Sequence, residues 1–361
     1  MTARPYLKMP PDPTDPVNER LAALRGSEFI HSFQPPDPLF DAVPATGRGR
    51  LIAITGRTGD GKTTVATLMQ VNVATGTAFA GRDVPRGKVL VLCGENPDDY
   101  NLHLIATMHD LGCEPVDLDD ILVVPSRFHI DQEFDRIVEL LEEFGDVTAV
   151  FVDTSAAFYF GDDENGNVDQ YLHASRLRRL TTLPGKPVVF VLCHPTKNAD
   201  KTELLPRGGG AFLAEIDANL TVWRDEAGIV TLHWCGKMRG PNFEPIRFEL
   251  KGVELTDYCD AKGRPTPSVV ARYVPDERAE QMQAKELDDE DRLLIAMQRK
   301  PGASVRELAM ACGWTSGAGK PMASRVDRKL RSLKDHGLVG QERGGRWRLT
   351  AKGQKEADGL P

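Results

Sequence analysis

From Gly49 onward, short apolar runs alternate with longer stretches of helical periodicity. The runs RLIAIT, KVLVLC, DILVVP, TAVFVD and KPVVFVLC are β-branched and apolar on both faces, as strands buried in a parallel sheet are. Between them the apolar positions recur with a helical period over Lys62–Val73, Asp98–Leu111, Asp131–Phe144 and Val168–Leu180. Five strands joined by four helical crossovers predict an α/β fold with a mainly parallel, helix-covered sheet. Three later runs, ANLTVWRD, IVTLHWCGK and IRFELKG, predict antiparallel strands at one edge of that sheet.

The pattern changes on both flanks of this core, which spans 46–255. Residues 1–45 are proline-rich, with one short helical candidate at Val17–Leu24, and have too few apolar positions for a core of their own. They read as an arm that needs a neighbour to order it. Thr256–Pro275 shows little periodicity and carries Gly-Arg-Pro-Thr-Pro, so 256–284 reads as a linker, with a helical stretch at Asp276–Gln283. Over 285–361, DRLLIAMQRK, SVRELAMACGW and KPMASRVDRKLRSLKDHG predict three helices. LVGQERGGRWRLTAKGQ then predicts two strands around a Gly-Gly turn. Three helices and a hairpin follow the order of a winged helix-turn-helix module.

Charge sharpens that division. From Asp291 on there are 15 Lys/Arg against 7 Asp/Glu, a net +8, whereas the first 290 residues hold 30 against 46, a net −16. A basic end on an acidic body suits contact with a polyanion; the alternative is a solvated basic surface. No run of about 18 apolar residues predicts a membrane span, and MTARPYLKMPPDPTDP has no apolar h-region. The six cysteines form no CxxC pair, and Cys93 and Cys193 sit inside apolar runs, so a reducing, cytoplasmic setting without a zinc site is expected.

The candidate chemistry begins in the first turn of the core. Gly56-Arg57-Thr58-Gly59-Asp60-Gly61-Lys62-Thr63, followed by Thr64, fits G-x-x-x-x-G-K-[ST] after a strand and before a helix. The glycines let backbone N–H groups face phosphates, and the helix N-terminus adds partial positive charge. Lys62 would contact the β- and γ-phosphates of ATP, and Thr63 would offer its hydroxyl to Mg²⁺. Three further residues suggest hydrolysis. Glu95 ends the second strand, where a carboxylate can take a proton from an attacking water; the alternative is a loop glutamate on the surface. Asp153 follows the apolar positions of TAVFVD, where it would orient Mg²⁺. His194 follows KPVVFVLC, where a neutral imidazole could bond the γ-phosphate and report its loss to the next loop.

These features in this order resemble the RecA-type core of hexameric replicative helicases, especially the RepA and DnaB-like families, over roughly 28–251. HWCGKMRGPNFEPIRFEL contains Lys237-Met238-Arg239-Gly240-Pro241, similar to the K-x-R-x-G-P of DnaB-like helicases. The resemblance implies a ring, a hexamer, in which Arg239 is an arginine finger for the neighbouring subunit's nucleotide and Lys237 its companion. A guanidinium supplied in trans stabilises charge on a transferring phosphoryl group.

In RecA-type rings the loops after the fourth and fifth strands face the channel. Here the second, PTKNADKTELLPRGGGAF, offers Lys197, Lys201 and Arg207 to single-stranded DNA, with Gly208–Gly210 allowing it to move. The first departs from expectation, because Asp162, Asp163 and Glu164 would repel a phosphate backbone, and Phe158–Phe160 could stack on bases or belong to the core. In the C-terminal module Val326, Leu330 and Leu333 should face inward. Arg325, Arg328, Lys329, Arg331 and Lys334 are then basic positions of a recognition helix. Of these, Arg325, Arg328 and Arg331 are the candidates for duplex contact, with Arg346 beside the Gly344-Gly345 turn. A wing used for protein contact is the other possibility. The function expected is an ATP-dependent DNA helicase of a plasmid, phage or mobile element, with priming left to a separate primase. The alternative is a DNA-binding P-loop ATPase acting as regulator or loader. A small-molecule kinase would explain neither Lys237–Pro241 nor the basic end.

Overall fold

The computed structural model of the 361-residue chain describes residues 25–31, 37–164, 166–197, 199–200, 203–317, 319–342 and 345–360. It separates into Met1–Asp37 and Pro38–Pro361. The first unit has one described element, the six-residue helix α1 (Gly26–His31); the Val17–Leu24 candidate lies outside the described residues.

The second unit is built on nine strands. Five are the anticipated apolar runs: β1 (Leu51–Thr55), β2 (Lys88–Cys93), β3 (Ile121–Val124), β4 (Val147–Asp153) and β5 (Val188–Cys193). The crossovers carry α2 (Lys62–Thr75), α3 (Pro97–Leu111), α4 (Ile130–Phe144) and α5 (Asn167–Arg179). Beyond them come α6 (Gly209–Glu215), β6 (Ala218–Arg224), β7 (Ile229–Met238), β8 (Ile246–Cys259) and β9 (Pro265–Tyr273). The sheet order is β3-β2-β4-β5-β1-β6-β7-β8-β9. This is the α/β architecture of a RecA-like P-loop core, with its antiparallel strands at one edge.

Three sequence expectations are corrected. The run ANLTVWR is not antiparallel: β6 pairs parallel with β1, and the direction reverses only at β7. Residues 256–275 are not a linker, because β8 continues to Cys259 and β9 pairs with it over most of its length. Their polar, proline-bearing sequence reflects a largely exposed ribbon, in which Val270, Ala271 and Val274 are the buried residues of 256–275. Residues 38–45 are not part of a coreless arm. Phe40 is fully buried against Phe79 and Phe190, with ring centroids 5.0 and 6.1 Å apart, and Leu39, Val43 and Ala45 join the same core.

The β8–β9 ribbon explains a peculiarity of α2, which is buried on nearly every side and has little amphipathic character. A helix apolar all round must be covered all round. One face of α2 meets the parallel sheet, and β9 packs across α2 and α3 from the other direction. Arg272 of β9 makes a bidentate ion pair with Asp110 of α3, and Ser268 Oγ donates to the Leu102 carbonyl at 3.2 Å.

The C-terminal part has its own core. A single helix α7 (Asp276–Arg299) joins the stretch read as linker to the first helix of the module. Its beginning packs on the sheet edge through Ala279, beside Ile229 and Val274. Its end packs through Leu293, Leu294 and Met297 with α8 (Val305–Ala311) and α9 (Ala323–Asp335). The hairpin β10 (Val339–Gln341) and β11 (Trp347–Leu349) follows. The last strand stops at Leu349, short of the reading from sequence. Thr350 Oγ1 accepts the Gly353 N–H and caps a further helix α10 (Ala351–Asp358).

Candidate active site

The turn from β1 into α2 is shaped by close approach. Gly61 caps α2 at φ 94° and Gly59 has φ 87°, a region where only glycine is unstrained. At Gly56 the reason is space, since a Cβ there would lie 2.3 Å from the Val222 carbonyl oxygen of β6. Lys62 is buried and its Nζ donates to the Arg57 carbonyl at 3.0 Å, which curls the ammonium back over the loop. Burial pushes the Lys62 pKa down, opposed by Asp60, Asp153 and Glu95. Thr64 is buried and Thr63 half-buried at the start of α2.

Asp153 closes the other side. Its carboxyl is buried, accepts a hydrogen bond from Thr63, and is raised from the ordinary 3.8 to about 6 by burial and then by the neighbouring Glu95. Two carboxylates therefore share one corner, with a single buried ammonium to balance them. That imbalance, beside a threonine hydroxyl, fits a hard divalent cation such as Mg²⁺. Glu95 is exposed at the end of β2. Its chain is pinned there by Gly94 N–H to Asp153 O (2.8 Å) and by Arg127 Nε to Gly94 O (2.6 Å). A cavity of about 480 Å³ runs from Thr58–Thr64 past Glu95, Asp153 and His194 to Tyr100, His103, Leu250 and Val269. It gathers Lys62, Thr63, Glu95, Asp153 and His194, residues spread over more than 130 positions, and extends beneath the β8–β9 ribbon. Loop, ammonium and carboxylates fit a nucleoside triphosphate with its cation.

His194 is half-buried between this cavity and a smaller one lined by Ser155, Tyr159, Gln170, His173 and Arg207. Burial and Lys62 lower its pKa, which keeps the ring neutral. The loop after β5 is tied to the nucleotide side at several points. Arg57 Nη2 donates to the Ala199 carbonyl, and the Arg207 N–H donates to the His194 carbonyl at 2.9 Å. Asn219, fully buried on β6, accepts from Thr55 Oγ1 at 2.6 Å and donates to the carbonyls of Leu204 and Cys235. Sequence reading passed over Asn219; the only signal was a polar residue in an otherwise apolar strand.

The two loops facing this end are less opposed than their charges suggested. Arg207 Nη1 lies 3.5 Å from Glu164, so the acidic first loop holds the basic second one. Lys197 is exposed, and Lys201 lies outside the described residues. Phe158 is core, whereas Phe160 is half-exposed and stacks on His129 at 3.9 Å. Gly208 does not serve loop freedom, because it caps α6 at φ 116° where a Cβ would meet Gln170 Oε1 at 2.3 Å.

Lys237 and Arg239 lie elsewhere. Met238 pairs with Ala218, which pairs with Ile52, at the start of β1 rather than at its P-loop end. Five residues of strand at about 3.3 Å each set the level of Arg239 roughly 16 Å from that of its own Gly56 along the strand direction, with β6 between β1 and β7. There Arg239 Nη1 meets Asp217 Oδ1 at 3.0 Å, and Lys237 Nζ donates to the Leu213 and Ala214 carbonyls.

In the C-terminal module Val326, Leu330 and Leu333 face the core, as their spacing required. Arg325 and Lys329 are corrections. Arg325 pairs with buried Asp289 of α7 and stacks on Trp314 at 4.7 Å, and Lys329 is fully buried against Glu286. Ser332 Oγ completes the stripe by donating to Glu290 at 2.7 Å. The signal was available: acidic positions at i, i+3 and i+4 on one helix match basic ones at i, i+4 on another. Arg328, Arg331, Lys334 and Arg346 remain exposed; Arg343 and Gly344 lie outside the described residues.

A family model described as an AAA domain matches residues 17–200, which runs from before α1 through the P-loop, Glu95, Asp153 and His194 into the loop after β5. No curated protein matches the sequence. Among the described residues no helix is long and apolar enough to cross a membrane. With just over half of the chain matched and the P-loop cradle inside that span, the protein belongs to the AAA domain family of P-loop ATPases.

Proposed function

We propose that the protein is a hexameric, ATP-driven DNA translocase and helicase serving the replication of a plasmid, phage or other mobile element. The observation that carries this reading is the separation of Arg239 from its own phosphate loop. A K-x-R-x-G-P arginine at the opposite end of the sheet serves a nucleotide only if that nucleotide belongs to another copy of the chain.

The residues then divide the work. The backbone of Gly56–Gly61 and Lys62 hold the triphosphate, and Thr63 with Asp153 would hold Mg²⁺, which neutralises charge on the phosphate oxygens when bound. Glu95 takes the proton of a water aligned with the γ-phosphate. Arg239 of the adjoining copy stabilises the charge that develops on the transferring group. His194, neutral and joined through its carbonyl to Arg207, passes loss of the γ-phosphate to the 195–208 loop, where Lys197 and Arg207 grip one DNA strand. The winged helix-turn-helix module, through Arg328, Arg331 and Arg346, anchors the assembly on duplex DNA.

Exposed cations on α9 and the hairpin also suit a regulator or loader that hydrolyses ATP on duplex DNA without unwinding it. Strand displacement on a forked duplex distinguishes the two. ATP-dependent release of the labelled strand is expected from the assembled protein; hydrolysis stimulated by DNA with no strand release would favour the regulator.

A further inference from the structure

Asp217, immediately before β6, is 3% exposed and is approached by three arginines and a backbone N–H. The Leu51 N–H donates to Oδ2 at 2.9 Å and Arg178 Nη1 to the same oxygen at 3.1 Å. Arg239 Nη1 donates to Oδ1 at 3.0 Å, and Arg50 Nη1 lies 3.8 Å from that oxygen. The backbones are joined as well: Arg239 N–H donates to Asp217 O at 2.9 Å, and Asp217 N–H to Leu51 O at 2.7 Å.

Two consequences follow from this geometry. Oδ2 is already occupied by Leu51 and Arg178, so Asp217 engages Arg239 through one oxygen and cannot form the two-point fork of an isolated Arg–carboxylate pair. A guanidinium carries five N–H donors in a plane, and the described contacts of the Arg239 side chain use Nη1 alone, with 58% of the side chain exposed. Arg239 is thus held at one edge and open at the other. Three guanidiniums surround one buried carboxylate, with Glu215 3.8 Å from Arg178 and Lys237 beside it, which leaves the patch net positive.

We propose that Asp217 is the positioning residue of the intersubunit site. It fixes one edge of Arg239 before assembly, and presents the remaining N–H groups to the phosphate oxygens of the neighbouring copy's nucleotide. Arg178 keeps Asp217 from closing on Arg239 with both oxygens. A long side chain loses most of its rotamer freedom when fixed, and here the loss is met within the subunit, so that it does not burden the transition state. The inference rests on the in-trans reading of Arg239.

The test is steady-state ATP hydrolysis by full-length chain assembled on single-stranded DNA. Asp217→Asn is expected to lower kcat by about 10²-fold, the scale of a misplaced catalytic group, with the KM for ATP unchanged. In an Arg239→Ala background it should add no further loss, since both changes disable one group. Mixing Asp217→Asn with Lys62→Ala copies should restore hydrolysis, because the latter bring a well-held Arg239 to sites with an intact lysine. Wild-type kcat in Asp217→Asn, or a further drop in the Arg239→Ala background, overturns the proposal. Mixtures of Arg239→Ala with Lys62→Ala test the underlying reading separately: failure to recover there removes the in-trans arginine itself. Should Asp217→Asn not fold, Arg178→Gln frees Oδ2 and lets Asp217 take Arg239 at two points. A fall in kcat at unchanged KM is then expected, and an unchanged kcat is the contrary result.

Discussion

Replacing Asp153 by asparagine should make the nucleotide-free protein more stable and the nucleotide-loaded protein no more stable than that. The carboxyl is buried, and its pKa is raised from 3.8 to about 6, first by burial and then by Glu95. Below pH 3.8 the group is protonated in both folded and unfolded chains and costs nothing. Between pH 3.8 and about 6 the unfolded chain ionises while the folded one does not, so the cost of folding grows with pH. Above about 6 it is constant, at roughly 3 kcal/mol from 1.36 kcal/mol per pH unit between the two values. Asparagine carries no such charge and still accepts the Thr63 hydroxyl. Urea unfolding of the nucleotide-free chain should therefore show a gain of about 3 kcal/mol for Asp153→Asn at pH 7.5, shrinking steadily below pH 6 and absent near pH 4. Saturating Mg²⁺ and a non-hydrolysable ATP analogue should stabilise the wild type by about 2.7 kcal/mol at a hundredfold excess over Kd, and the variant far less. A loss of stability at pH 7.5, or a gain that does not change between pH 7 and pH 4, would refute the reasoning. Either would mean that Asp153 is held by contacts that favour its charge.

Two other outcomes follow from the same geometry. Arg239→Ala should lower kcat by about 10³-fold or more, leaving a small residual rate, with ATP-analogue affinity, read by equilibrium fluorescence titration, nearly intact; a lost affinity would place Arg239 in its own subunit's site. On α9 the arginines should separate by role. Arg325→Ala strands buried Asp289 and should cost about 3 kcal/mol of stability in the C-terminal module, measured by thermal unfolding. Arg328→Ala and Arg331→Ala should leave the melting curve in place and each reduce the salt slope of duplex binding by about one. Equal loss of duplex affinity from Arg325→Ala without a change in melting would contradict the assignment.

Strands, crossovers and the phosphate loop were legible along the chain because their determinants are local. Two apolar faces on a strand, a helical period, and three glycines before Lys-Thr need no distant partner to be recognised. Even the candidate residues at strand ends, Glu95, Asp153 and His194, follow from local rules, since parallel strands deliver their ends to one side. What depended on tertiary structure was everything whose partner lies far away in sequence. Phe40 belongs to the core only because Phe79 and Phe190 leave a place for it, and its proline-rich surroundings concealed that. The β8–β9 ribbon is a pair of strands because α2 needs a second cover, although its outer face reads as a linker. Arg325 and Lys329 look like a recognition surface until the acidic stripe of α7 is laid across them. Asp217 has no motif at all; its importance arises from a backbone N–H and three arginines that meet there from the start of β1, from α5 and from just beyond β7. Local sequence determined what kind of phosphate-binding core forms, because backbone geometry and apolar period act over a few residues. Only the fold decided which charges face solvent and which face each other, because the pairing of buried charges is set by packing between elements.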